Sequence, residues 1–418
     1  AAPYTPYTGV LSQGFGPQTQ WIRLKIGAAP DDDTHTSTST LVLRIRPVFL
    51  DSITLYDPVE LAQGRAARST GDKTPLADTE FESLNHSFVI PAQPAPREVW
   101  LRLRSTSTHL MQVEALSPRE MLREEHRLWL GYSALLALIF SCLVWVLLAW
   151  LRDHDAVNGA FVLRQTVLLL YTACYLGYHR MLLSGWLTPA AQDSLYSWLA
   201  LLTSGLSFAF EYRFLSEYRM PRWGHGLLRL SLASSALAML LMLAGQQSVA
   251  LQLNVLGIGT TLVALFFIAL RLQAQPPGGE QPEAYHLPRA ALVVYYGVLI
   301  LTVVVLNVLP SLGVFQGTWL SIYGVLLYGL VSGLLMSILL IVRSRQMERI
   351  RREVANSLFL SREQLALETR RRQDQSQLLN MLMHELKTPL AVIDLALKDR
   401  AASDKSQSYV GRAIDNMK

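Results

Sequence analysis

The residues of this chain whose types and spacing can do chemistry are His384-Glu385-Leu386-Lys387-Thr388-Pro389-Leu390. A neutral imidazole, with an ordinary pKa of about 6.5, is a good nucleophile near neutral pH. To attack a γ-phosphoryl group through one ring nitrogen it must shed the proton on the other. Glu385 follows directly and can accept that proton or hold it in a hydrogen bond, which also fixes the tautomer. Thr388 falls four residues after His384 and shares its helix face, where a hydroxyl can orient a water. Pro389 has no N–H, so the carbonyl of Glu385 loses its helical donor and a bend is expected just past the histidine. A lone histidine on an amphipathic helix would be an ordinary surface residue. Here His, Glu, Lys, Thr and Pro all fall at the spacing the chemistry requires.

These side chains need a helix to hold them. The run-in Leu378-Leu379-Asn380-Met381-Leu382-Met383 is apolar at helical period, and from Ile341 the helix signal continues without Gly or Pro up to Pro389. A seam at three- and four-residue spacing passes through Met347, Val354, Leu358, Ser361, Leu365, Glu368, Arg372, Gln375, Leu379, Leu382 and Leu386. It is apolar at both ends and polar in the middle, which fits a weak coiled coil or a plain amphipathic helix. A weak seam suits a switch, which needs two packings close in energy. His384 lies off the seam, so its ring is open to solvent and to a partner. Residues 401–408 read as a turn and 409–417 as the start of a returning helix; two such hairpins from two chains make a four-helix bundle.

The stretch from Leu378 to Leu390 resembles the H-box of bacterial sensor histidine kinases, within a dimerisation and phosphoacceptor domain of the HisKA type. The resemblance implies that His384 is the phosphoacceptor, that Glu385 acts as general base or tautomer orienter, and that Thr388 positions water for hydrolysis of the phosphohistidine. It also implies a homodimer, a response-regulator receiver domain as partner, and ATP with Mg2+ bound by a separate catalytic domain. These residues contain no Asn-rich or Gly-rich nucleotide box, so the chain alone is expected to accept a phosphoryl group but not to autophosphorylate.

At 418 residues there is room for two or three domains. Apolar residues make up 51% and charged residues 17%, the profile of a membrane protein with soluble appendages. The net charge of +5 comes from arginines beside apolar segments, so no nucleic-acid partner is expected. Cys142 and Cys174 both fall in apolar segments, which leaves the N-terminal domain without a disulfide and the chain without a Cys metal site. A start at Ala1-Ala2-Pro3 is that of a mature form after removal of a signal peptide, which would place the N-terminal domain outside the cytoplasm.

Apolar runs of about 20 residues, long enough to cross a bilayer, recur seven times, near 128–151, 163–183, 195–215, 227–243, 249–270, 290–309 and 320–342. Odd-numbered connections carry the arginines: Arg152, then Arg213, Arg219, Arg222 and Arg229, then Arg271 and Arg289, then Arg343 to Arg352. Even-numbered ones hold Arg180 and almost nothing else. The positive-inside rule therefore places His384 in the cytoplasm of a bacterial inner membrane and the N-terminal domain in the periplasm. Arg164, Glu211 and Arg213 are expected at the cytoplasmic interface, snorkelling or paired.

Residues 1–118 alternate apolar and polar in short bursts between turn-rich stretches, the signature of a β-sandwich. The Trp-x-Arg strand at Trp21, the Arg46-to-Tyr56 stretch and the strand Trp100-Leu101-Arg102-Leu103-Arg104 resemble the extracellular module of seven-transmembrane receptors with diverse intracellular signalling modules (7TMR-DISM, DISMED2-like). Phe210 to Leu215 and on to Pro221 resemble the membrane part of those receptors. The resemblance implies a jelly roll similar to carbohydrate-binding domains. Three strands present Ile22/Leu24/Ile26, Leu43/Ile45 and Leu101/Leu103 on one face, with Trp21/Arg23/Lys25, Arg44/Arg46 and Trp100/Arg102/Arg104 on the other. Trp21, Arg23, Arg44, Trp100 and Arg102 would suit an acidic sugar, rings on its apolar side and Arg on its carboxylate. The plainer reading, and the preferred one, is a solvated outer face or tryptophans docked on the membrane part.

The expected protein has a periplasmic jelly-roll-like sandwich (1–118), a seven-helix transmembrane bundle (119–342), a linker helix (343–374) and an α-helical phosphoacceptor hairpin (375–418). It reads as a sensor histidine kinase that answers a periplasmic small-molecule or carbohydrate ligand. Alternatives are a regulator or phosphatase that controls another kinase by heterodimerisation, and a non-enzymatic receptor or transporter.

Overall fold

The computed structural model describes residues 5–27, 40–80, 83–272 and 287–398, together with Arg412 and Asp415. They fall into two compact units, Ala1–Gln346 and Met347–Lys418.

Among the described residues the first unit opens with eight strands: β1 (Val10–Ser12), β2 (Gln20–Ile26), β3 (Thr40–Arg46), β4 (Ser52–Tyr56), β5 (Arg68–Thr70), β6 (His86–Pro91), β7 (Arg97–Arg104) and β8 (Leu110–Leu116). A short helix, α1 (Pro58–Ala62), lies between β4 and β5. All pairings are antiparallel, in two sheets ordered β1-β8-β3-β6 and β2-β7-β4-β5, the strand order of a jelly roll. The alternation of side chains along each strand fills the space between the sheets: Ile22 and Ile26, Leu43 and Ile45, Ile53 and Leu55, Leu101 and Leu103 are all buried. Burial of this apolar surface, at roughly 25 cal/mol per Å², is what holds the sandwich closed.

Leu116 ends β8, and Ser117 turns the chain straight into α2 (Pro118–Asp153). Its hydroxyl accepts from the Glu120 amide at 3.3 Å, while the Glu120 carboxylate accepts from the Ser117 amide at 3.0 Å. This capping box, with Pro118 as the first helical residue, satisfies N–H groups that a helix start leaves unpaired. The helices that follow are α3 (Ala156–Tyr175), α4 (Tyr178–Leu183), α5 (Pro189–Leu215), α6 (Arg222–Leu243), α7 (Gln247–Arg271) and α8 (Arg289–Leu299). A π-helical segment, Ile300–Val308, extends α8 into α9 (Leu309–Ser311); α10 (Trp319–Ile322) and α11 (Gly324–Lys398) complete the order.

Six helices among the described residues are long and apolar enough to cross a bilayer: α2, α3, α6, α7, the 289–311 helix and the start of α11. Seven spans are expected from the apolar runs. The difference is α5, which is 27 residues long but buries Asp193, Ser197, Thr203, Ser204, Ser207 and Glu211, so its sequence is less apolar than its packing. The second expected span also ends earlier than 183. Gly177 breaks it with a left-handed φ of +90°, and the Leu84 carbonyl of the sandwich would lie 2.8 Å from any Cβ placed there. Only glycine fits both conditions.

The sandwich packs on one end of this helical part. Phe49 stacks on Tyr196 of α5 at 5.8 Å and tilts against Tyr175 of α3 at 5.6 Å. One apolar cluster contains sandwich residues such as Ile53 and Leu101 together with Tyr132, Tyr175, Tyr196 and Val325. At the other end of the helices Arg343 joins two connections, donating to Asp155 at 2.9 Å and to Glu217 at 2.7 Å. Helix α5 therefore runs from the sandwich, which its Asp193 reaches, to the end where Glu217 lies.

In the second unit α11 keeps helical conformation through Pro389 to Lys398, so the proline does not end the helix. The expected turn at 401–408 and returning helix at 409–417 lie outside the described residues, apart from Arg412 and Asp415.

Candidate functional site

His384 is exposed on α11, with Glu385 beside it and Thr388 one turn on. His384, Lys387, Thr388, Ala391, Val392 and Leu395 line a shallow groove along one helix face, as residues three, four and seven apart must. The Thr388 hydroxyl donates to the His384 carbonyl at 3.2 Å, the back-bonding habit of helical Thr. Leu379, Leu382 and Leu386 of the seam, from which His384 points away, are each 44% exposed or more, so that apolar face stands uncovered in one chain.

On the sandwich the five expected ligand residues do not share one surface. Trp21, Arg23, Trp100 and Arg102 are neighbours across β2 and β7, in the pairs Trp21↔Arg102 and Arg23↔Trp100. Tyr56 of β4 joins them: its ring lies 5.4 Å from that of Trp21, and the Arg102 guanidinium sits over it at 5.8 Å. Arg23 pairs with Glu98 at 3.7 Å. Trp21 is 49% exposed, so this aromatic and basic face is open and is not the surface docked on the helices.

Arg44 belongs to the other sheet. Its guanidinium meets Glu114 at 2.5 Å, and Arg46 reaches Glu114 at 2.7 Å and the Tyr323 hydroxyl at 2.5 Å. Both arginines are buried under the helical part. The expectation that Arg44 shares a ligand face with the tryptophans is therefore corrected: alternation along a strand fixes which side a residue faces, not which of two sheets the strand joins.

A buried polar cluster, absent from the sequence reading, lies where the sandwich meets α5. Asp51, Asp72 and Asp193 bring one carboxylate oxygen each within 4.8 Å of the others. The Lys73 ammonium contacts Asp51 and lies 3.8 Å from Asp193. Asp51 also accepts from Ser105 at 3.1 Å and Thr106 at 3.0 Å, and Asp193 accepts from Gln247 at 3.1 Å. Asp72 Oδ1 has no hydrogen-bond partner among the described residues. Burial, then the charges of Asp193 and Asp51, push the Asp72 carboxyl well above the usual range. Burial alone would lower the Lys73 amine, but the hydrogen bond and charge of Asp51, with Asp193 and Asp72, hold it above its usual value. The carboxylates have the donor set of a hard-cation site, and Lys73 supplies a cation from the chain itself.

Arg180 adds a second polar contact. It donates to His86 Nδ1 at 3.1 Å and to the Gly71 carbonyl at 3.3 Å. His86 Nε2 therefore carries the proton and donates to the Val48 carbonyl at 2.8 Å. Burial, and then the Arg180 charge, push this imidazole well below its usual pKa and keep it neutral. Arg180, the main cation of the even-numbered connections, is thus committed to the sandwich.

Residues 4–117 match the family model 7TMR-DISM extracellular 2. No curated protein matches the chain. The 7TMR-DISM extracellular domain accounts for the sandwich, and its docked side is the β3–β8 face with the loops around Phe49 and Asp72.

Beneath the 7TMR-DISM domain, Arg164 and Glu211 depart from the expected interfacial position. Arg164 is 1% exposed, donates to Ser207 at 3.1 Å and to Tyr328 at 2.8 Å, and lies over the rings of Phe161 and Phe210. Glu211 accepts from the Tyr296 hydroxyl at 2.5 Å. Both sit inside the helical core, tied to residues on other helices, while Arg213 is exposed. A buried ionic group needs such partners, because an unpaired one costs several kcal/mol.

Proposed function

We propose that this chain is the sensor and phosphoacceptor part of a bacterial inner-membrane histidine kinase of a two-component system. A periplasmic ligand alters the sandwich, the helices beneath it repack, and α11 changes the access of a catalytic domain to His384. The observation that carries this reading is the His384-Glu385-x-Lys387-Thr388-Pro389 spacing on an exposed helix face. A 7TMR-DISM extracellular domain, typical of membrane sensor proteins, and six apolar helices support it.

The chemistry is a substitution at phosphorus. One imidazole nitrogen of His384 bonds to the γ-phosphorus of ATP, the bond to the β-phosphate oxygen breaks, and ADP leaves. Glu385 takes or holds the proton of the other nitrogen. ATP and Mg2+ come with a catalytic domain that pairs with this helix, and the phosphoryl group then passes to an aspartate of a response-regulator receiver domain. The exposed Leu379, Leu382 and Leu386 are the surface for a second copy, making a homodimer through the helical hairpin. Helix α5 is the seventh span: it runs the length of the other helices, with its polar side chains turned inward. The arginine-rich odd connections then lie in the cytoplasm.

The test supplies the full chain, in lipid nanodiscs, with a purified histidine-kinase catalytic domain and radioactive ATP. Acid-labile label on the wild type, absent from His384→Gln, is the expected result. If the wild type takes no label while the same catalytic domain labels its own partner, the reading is wrong.

A further inference from the structure

Among α3, α5, α7, the π-helical segment and α11, next to the sandwich, lies a cavity of about 140 Å³. Tyr171, Tyr196, Phe208, Leu265 and Val303 give it a mostly apolar and aromatic wall. Phe49, Thr108 and Leu110 of the sandwich contribute to the lining as well. An apolar cavity of about 150 Å³ accepts a benzene-sized ring.

Two polar groups in this wall have no partner among the described residues. Asn254 on α7 is 7% exposed and its Oδ1 receives no hydrogen bond; Thr203 on α5 is 4% exposed and its hydroxyl is likewise unmet. Buried polar atoms in native structures are rarely left so. The neighbouring hydroxyls differ. Ser204 donates to the Ala200 carbonyl at 3.1 Å, Ser207 to the Thr203 carbonyl at 2.7 Å, and Glu211 is engaged by Tyr296. The wall also includes Val303, Asn307 and Val308 of the π-helical segment, a conformation that is rare and tends to occur at functional sites.

We propose that this cavity binds a small, largely apolar molecule, one or two rings in size, whose single hydrogen-bond donor meets Asn254 Oδ1. Thr203 stands ready for a second polar contact. Such an occupant touches Phe49 and Thr108 of the sandwich and the helices at once, so its binding energy acts on the contact between them. The proposal rests on the reading of these helices as a membrane-embedded sensor. Its readout is binding, so its failure leaves the phosphotransfer reading of His384 standing.

The probe is indole, a fused bicyclic ring with one N–H, compared with indene, its carbocyclic counterpart without the donor. Binding to the full chain in nanodiscs is measured by equilibrium dialysis. Indole is expected to saturate one site and indene to bind about tenfold more weakly, the worth of one buried hydrogen bond. Asn254→Leu is expected to weaken indole about tenfold and leave indene unchanged. Ala200→Phe, which fills the cavity, is expected to abolish both. If Ala200→Phe does not fold, the indole and indene comparison on Asn254→Leu decides alone. No saturable indole binding to the wild type, binding that survives a folded Ala200→Phe, or equal affinity for the two probes would overturn the proposal. So would a phospholipid acyl chain found by mass spectrometry in the purified wild type and missing from Ala200→Phe.

Discussion

The ring of Phe49 in the sandwich stacks on the ring of Tyr196 in α5, with centroids 5.8 Å apart and planes 14° from parallel. Phe49 is 8% exposed and also contacts Tyr175, so it is one of the apolar anchors that bind sandwich to helices. Truncating a buried Phe removes its transfer energy and leaves a cavity, a loss of about 3 kcal/mol or more. Phe49→Ala is therefore expected to lower the melting temperature in detergent by several degrees, whereas Phe49→Leu is expected to recover most of the loss. A melting temperature unchanged in Phe49→Ala would show that the stack does not hold the two parts together.

Asp72 makes the opposite kind of contribution. Its carboxyl is buried, has an unpartnered oxygen and faces Asp51 and Asp193, so its folded-state pKa is raised. A raised value means the folded protein holds this proton more tightly than the unfolded chain, whose Asp titrates near 3.9. That stabilisation is complete below the unfolded value and is lost as pH rises through the folded one. As pH rises above the unfolded value, ionisation costs more in the folded protein than in the unfolded chain. Asp72→Asn is expected to stabilise the protein by on the order of 1 kcal/mol at pH 7.5, with a smaller gain at pH 5. Buried neutral His86 has the opposite dependence, favouring the fold above about 6.5 and weakening it below. It is present in both proteins, so the difference in melting temperature isolates Asp72. A loss of stability at pH 7.5 would refute the assignment.

The contrast between Leu43 and Arg44 shows how far the sequence carries. The period-two pattern correctly turns Leu43 and Ile45 into the sandwich core, because a strand leaves no other choice of side. It cannot tell that β3 sits in the sheet facing the helices while β2 and β7 sit in the other, since sheet membership depends on pairing between distant segments. Arg164 fails for the same reason. Its partners Ser207 and Tyr328 lie on other helices, so spacing along the chain suggests an interfacial arginine where folding makes a buried one. The structure adds a capping box at Ser117 and Glu120, where Ser-x-x-Glu precedes an apolar run and opens α2. The Asp51, Asp72 and Asp193 cluster left no comparable sign.

Trp100 and Arg102 give the open sheet face a direct test. They lie beside Trp21 and Tyr56, an arrangement in which rings stack on a sugar and a guanidinium meets its carboxylate. If this face binds acidic sugars, the double substitution Trp100→Ala with Arg102→Ala is expected to weaken binding of uronic-acid oligosaccharides about tenfold or more, measured by calorimetry on the full chain. Both residues are on an outer face, so the melting temperature should move by only a degree or two. Equal binding by the wild type and the double variant would assign the face to solvent.

On the proposed reading, Thr388 separates the two directions of phosphoryl chemistry at His384. Its hydroxyl now donates to the His384 carbonyl, one turn back along α11, on the exposed side where a phosphorylated ring would stand. On that reading a rotation about χ1 would release it to hold a water in line with the phosphorus, whereas phosphoryl acceptance would need only the imidazole and Glu385. Positioning of that kind contributes about 100-fold or more when it is used in a transition state. Thr388→Ala is therefore expected to accept label from a supplied catalytic domain within about twofold of the wild type, and to lose it by hydrolysis at least tenfold more slowly. Thr388→Ser should restore hydrolysis. Alanine is the better helix former, so a slower loss of label does not come from a weakened helix. Decay of the phosphohistidine at the same rate in Thr388→Ala and wild type would remove Thr388 from the reaction and leave water to be ordered by the partner alone.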